Sequence, residues 1–183
     1  MTAMDWTSGD AGTHLARVRR LTERGIVETA RNYDWDKYPE TVLGWIMAQK
    51  CVDLDTALAA FYGGCPERFN YLHKREVPPE FQSTCRVLDN ICLRVNSGFY
   101  LLRDDRAPVA ADRLEKWLAV QKIDRRENSS GRWVLDEAIV SQLLAHPGPK
   151  TESGPADPSP KPQRRAPGAL TRLAGVLRPG RAR

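Results

Sequence analysis

Pro78-Pro79-Glu80-Phe81-Gln82-Ser83-Thr84-Cys85-Arg86-Val87-Leu88-Asp89-Asn90-Ile91-Cys92-Leu93-Arg94-Val95-Asn96 decides the class of this chain. Phe81, Thr84/Cys85, Leu88, Ile91/Cys92 and Val95 recur at steps of three and four. That spacing lines one face of an α-helix with apolar side chains and leaves the other face polar. The two prolines open the helix, and Ser97-Gly98 closes it. A helix with one apolar face needs partners to cover that face, and the same period appears on both sides of it.

Toward the N-terminus, the pattern predicts a helix from about Thr13 to Arg31, with Leu15, Val18, Leu21, Ile26 and Ala30 near one face. Gly25 weakens its middle. His14 reads as a helix-surface residue. Pro39 suits the first turn of a second helix, which runs through Val42, Leu43, Trp45, Ile46 and Met47 to about Lys50. Asp53 or Asp55 caps a third, Thr56 to Tyr62. Gly63-Gly64 stops it, and Pro66 prevents easy continuation. Residues 65–79 read as a packed short turn or a one-turn helix around Phe69, Tyr71 and Leu72.

Toward the C-terminus, a helix is expected from about Val109 to Ile123, carrying Leu114, Trp117, Leu118 and Val120. Asn128-Ser129-Ser130-Gly131 is a loop. Trp133 to Leu144 reads as the last helix, with Leu135, Ile139, Leu143 and Leu144 inward and His146 at its end. Neither internal repeats nor strand alternation stand out. The expectation is an all-α fold: one compact domain of about six helices over 13–146, after a frayed N-terminus of residues 1–12.

From Pro147 onward the material changes. Eight of the 13 prolines and eight Lys/Arg fall there, against two acids, for a net charge of +6. The whole chain is +5, so residues 1–146 carry −1. The basic character is thus a property of a tail, residues 147–183. Such a composition cannot bury enough apolar surface to offset its ordering entropy, and disorder is expected. Arg164, Arg165, Arg172, Arg178, Arg181 and Arg183 are its candidates for contact with nucleic acid or another anionic partner, with steep salt dependence. The segment Gly168–Arg178 has the spacing of a basic amphipathic helix that forms on contact.

No apolar run reaches the ~20 residues of a membrane span. The first twenty residues lack the basic start and apolar stretch of a secretory signal, and cytoplasmic residence is the expectation. Cys51, Cys65, Cys85 and Cys92 make no C-x-x-C pair and read as buried or half-buried free thiols. Cys65 with His73, and Asp34 with Asp36, are the pairs an enzyme would use. Neither carries the surrounding signature of a known catalytic or calcium site, and no Gly-rich phosphate loop is present. No cofactor is expected. Lys74-Arg75 and Arg125-Arg126 each sit beside acids and read as solvated faces.

The densest polar-aromatic cluster is Asn32-Tyr33-Asp34-Trp35-Asp36 with Tyr38. Tyr33, Trp35, Asp36 and Tyr38 are candidates for a contact surface. Alternatively Tyr33 and Trp35 belong to the core and Asp36 caps a helix. Together with Cys51, Asp53-Leu54-Asp55-Thr56-Ala57-Leu58 and Phe61-Tyr62, this cluster resembles a small bacterial helical domain family. That family carries an N-Y-x-W-D and C-D-x-x-T-A-L core motif. The likeness covers residues 32–62 and departs from the pattern at Lys37-Tyr38-Pro39 and at Val52. The resemblance implies a helix-rich interaction protein, an adaptor or an immunity-type partner of a toxin. The functional expectation is a noncatalytic protein–protein interaction module, with the basic tail as the alternative binding element.

Overall fold

The computed structural model describes residues 6–103 and 108–145. The tail, with its expected disorder, its arginines and His146, lies outside the described residues. Seven α-helices and no strands are found among the described residues, which form one compact unit.

The helix expected over 13–31 is two helices: α1, Ala11–Val18, and α2, Glu23–Asn32. The break falls at Arg19–Leu21 rather than at Gly25, because Thr22 is an N-cap whose hydroxyl accepts the Gly25 N–H at 3.3 Å. Gly25 is therefore a first-turn residue of α2. Trp6 packs on the core, and the Asp10 carboxylate caps α1 through the Thr13 N–H at 2.8 Å.

Helix α3, Pro39–Ile46, begins on its proline as expected but stops before Lys50 in successive turns. In α4, Leu54–Gly63, Asp53 is the cap, its Oδ1 accepting the Thr56 N–H at 2.7 Å. Asp55 has another task. Its Oδ1 accepts the Val109 and Ala110 N–H groups at 2.8 and 2.9 Å, while Oδ2 takes Arg31 at 2.7 Å. One buried carboxylate thus ties α2 and α4 to the residues that lead into the helix Ala111–Arg126. Helix α4 is buried on nearly every side, the mark of a central helix, and packs against α2 and against α5, Gln82–Asn96.

Short 3-10 turns at Pro66–Arg68 and Pro79–Phe81 flank the loop before α5. After α5, Tyr100 turns inward, its hydroxyl donating to the Met47 carbonyl at 2.9 Å. Helix α6 spans Ala111–Arg126 and α7 spans Glu137–Leu144. The last helix is thus shorter than expected, because Trp133-Val134-Leu135 lies outside it. Trp133 and Leu135 point inward, Val134 outward. Their backbone is held by side chains: Asn70 Oδ1 accepts the Trp133 N–H, and the Gln121 amide both accepts from Leu135 N–H and donates to its carbonyl. Asp136 then caps α7 through the Ala138 N–H at 2.9 Å. No helix among the described residues is long and apolar enough to cross a membrane.

Candidate interaction surface

Tyr33 closes α2 and is buried. Its hydroxyl lies 2.9 Å from Nδ1 of His14, whose Nε2 is 3.2 Å from the Ser8 carbonyl. A carbonyl only accepts, so Nε2 is the donor to Ser8, and in the neutral ring Nδ1 is then the acceptor of the Tyr33 O–H. His14, expected on the surface, is 0 % exposed, because α1 turns it onto Trp6, Tyr33 and Tyr38. Burial pushes the Tyr33 phenol up to about 12.

Trp35 is half-buried and lies across Gly63-Gly64. A Cβ on Gly64 would stand 2.9 Å from both the Trp35 ring and Leu88 Cδ2, so the paired glycines admit the indole as well as ending α4. Tyr38 is half-buried, its ring edge-on to His14. Asp36 is exposed, and its own N–H is taken by Asp34 Oδ1 at 3.0 Å. It supplies no side-chain cap to α3. The four residues thus bind the α1–α2 layer to α4 with three aromatic rings and present one carboxylate outward.

A different surface is built around Arg132. Its Nε and Nη2 donate to the two oxygens of Asp89 at 3.0 and 2.8 Å, and the Trp133 indole donates to Asp89 Oδ1 at 2.8 Å. Burial alone would lower the Arg132 pKa, but the hydrogen bonds and charge of Asp89 outweigh it and hold the guanidinium above its ordinary value. Arg132 Nη1 is buried without a hydrogen bond of ordinary geometry, and the Cys85 thiol lies beside the guanidinium. Burial pushes that thiol up, so it stays protonated at neutral pH despite the nearby cation.

This clamp forms one wall of a recess of about 270 Å³. Lys74, Gln82 and Arg86 stand around it, with Val77 and Cys85 as its apolar part. Lys74 Nζ is 4.0 Å from Asp89, and Arg86 Nη1 reaches Glu40 at 3.0 Å. Arg86 and Lys74 keep 61 % and 74 % of their side-chain surface exposed.

The loop Phe69–Val77 runs from this recess to α6. It is fastened at several points. Asn70 accepts the Arg132 N–H through its carbonyl at 2.6 Å. The Tyr71 hydroxyl donates to Asp124 at 2.9 Å, and Glu76 accepts the His73 N–H at 2.9 Å. Gly131 is required here, since a Cβ would fall 2.1 Å from the Asn70 amide. On this fixed backbone Tyr71 is 58 % and Leu72 38 % exposed, beside Lys74 and Arg75.

Sequence reasoning missed this surface for a physical reason. Lys74-Arg75-Glu76 reads as self-neutralising, but Glu76 turns back onto the His73 backbone. Arg86 and Arg132 join Lys74 only through folding. The single linear signal is Tyr71-Leu72 between polar residues.

Of the enzyme-type pairs, Cys65 Sγ lies 3.8 Å from the Gly63 carbonyl. The Asp34 carboxylate takes the Asp36 N–H, and His73 Nδ1 accepts the Arg75 N–H at 3.3 Å. No group of three or more metal-binding side chains occurs among the described residues. All four cysteines are free. Cys85 and Cys92 are buried and Cys51 half-buried, whereas Cys65, expected to be covered, is exposed on a left-handed residue with φ 50°. No family model, no curated protein and no solved structure matches the chain.

Proposed function

We propose that the helical body is a noncatalytic protein–protein interaction module of the adaptor or immunity type, acting in the cytoplasm through the loop Phe69–Val77 and the adjoining recess. The observation that carries this reading is the exposure of Tyr71 and Leu72 on a loop whose Asn70 carbonyl is bonded to the Arg132 N–H and whose Tyr71 hydroxyl is bonded to Asp124 on α6. Tyr and Arg dominate the energetics of protein contacts when they sit on a surface that costs little entropy to order. Tyr71 has already surrendered much of its freedom to Asp124, and Arg75 and Arg86 stand nearby.

The test is site-specific photo-crosslinking of the full chain in its native cells, with the reactive residue at Tyr71, and at Asp112 as a control. A discrete heterologous adduct from Tyr71 and none from Asp112 is expected. Equal, diffuse labelling from both positions would sink the proposal.

The second reading places binding on the tail arginines Arg164, Arg165, Arg172, Arg178, Arg181 and Arg183, with nucleic acid or another anion as partner. Its support is the +6 charge gathered there. It predicts binding that survives every change at Tyr71 and Leu72 and vanishes as salt rises.

A further inference from the structure

We infer that the recess between Lys74, Arg86 and Arg132 is a binding site for the phosphate monoester of a phosphorylated side chain on the partner. This rests on the interaction reading above for the molecule that carries the phosphate.

Lys74, Arg86 and Arg132 line the recess against a single carboxylate, Asp89. Asp89 is itself saturated. Arg132 takes both its oxygens, the Trp133 indole takes one again, and Lys74 approaches the other at 4.0 Å. The Asp89–Arg132 pair therefore closes on itself, and the cations that remain toward solvent are Lys74 and Arg86. Two cations balance a phosphate monoester, which carries about −1.5 to −2 at neutral pH, better than a carboxylate at −1.

The acid nearest Arg86 is Glu40, and both members of that pair are at least half exposed. An exposed pair of this kind is worth little, so an incoming dianion displaces or shares it at small cost. Gln82 adds an amide donor to the same rim.

About 270 Å³ is below the ~300–1,000 Å³ of cavities that enclose a whole drug-sized molecule. It admits a head group that remains attached to something larger. The exposed Tyr71-Leu72 loop beside it offers an apolar footing for the residues flanking that head group.

The probe is inorganic phosphate, titrated into the full chain at fixed ionic strength and followed by the backbone NMR signals of residues 74–89. Acetate and a phosphoserine tripeptide are the other arms. Saturable shifts confined to the recess are expected with phosphate, at least fivefold weaker ones with acetate, and tighter binding with the phosphopeptide than with phosphate. The double variant Lys74→Gln/Arg86→Gln changes two exposed residues and leaves the fold intact by the same spectra. It should weaken phosphate binding tenfold or more. Absence of saturable shifts in the recess, acetate binding as tight as phosphate, a phosphopeptide no tighter than phosphate, or an unchanged affinity in the double variant would each overturn the proposal. Failure here leaves the crosslink at Tyr71 as an independent test of the interaction reading.

Discussion

At the scale of single residues, the fold depends on a few side chains that sequence position does not advertise. Gly64 is one. Its hydrogen faces the Trp35 ring and Leu88 at distances a methyl group cannot occupy. Gly64→Ala should therefore cost about 1–3 kcal/mol by forcing the indole outward, measured by denaturant unfolding. Asp89 is another. Removing it strands the Arg132 guanidinium, and Asp89→Ala should destabilise by about 2 kcal/mol. That is below the ~3–5 of a fully buried pair, because the Asp89 side chain is 35 % exposed. The thiols divide by environment. Cys65 should react with a thiol reagent at once, while Cys85 and Cys92 react only on unfolding, the latter with a pKa pushed up to about 11 by burial. Burial likewise pushes the Tyr33 and Tyr100 phenols up to about 12. The folded state holds these groups neutral, so their contribution to stability is complete below pH 10 and is lost as pH rises through about 12. A spectrophotometric titration at 295 nm should then show these tyrosines ionising together with unfolding.

At the scale of elements, the helices were legible wherever an apolar period met a strong terminus. Pro39, Asp53 and the α5 stripe all behave as the residues suggest. Asp53→Ala should cost about 0.5–2 kcal/mol through loss of the α4 cap, with a lower thermal midpoint by circular dichroism. The misreadings arise where side-chain partners, one local and the rest long-range, decide. Thr22 splits the first helix because its hydroxyl is available to a free N–H, a choice no period reveals. Trp133-Val134-Leu135 carries helix-compatible residues, yet Asn70 and Gln121 take its backbone groups. His14 lies on the polar side by counting, and is buried because Trp6, Tyr33 and Tyr38 close over it. The candidate site was less legible still. Of Tyr33, Trp35, Asp36 and Tyr38, the three aromatic residues turn toward the core, whereas the recess draws Lys74, Arg86 and Arg132 from three separate segments.

At the scale of the whole molecule, the chain joins a near-neutral helical body to a tail of net charge +6. The two proposals for binding differ in their response to salt. The first predicts apolar contacts at Tyr71 and Leu72 that persist at high ionic strength, whereas the second predicts tail contacts that weaken steeply. The deciding measurement is affinity capture from native lysate at low and high salt with three full-length forms: the unaltered chain, Tyr71→Ser/Leu72→Ser, and a form with the six tail arginines changed to glutamine. The account predicts a discrete partner held at high salt by the unaltered chain and by the tail variant, and lost with the loop variant. A partner kept by the loop variant but lost with the tail variant would contradict it.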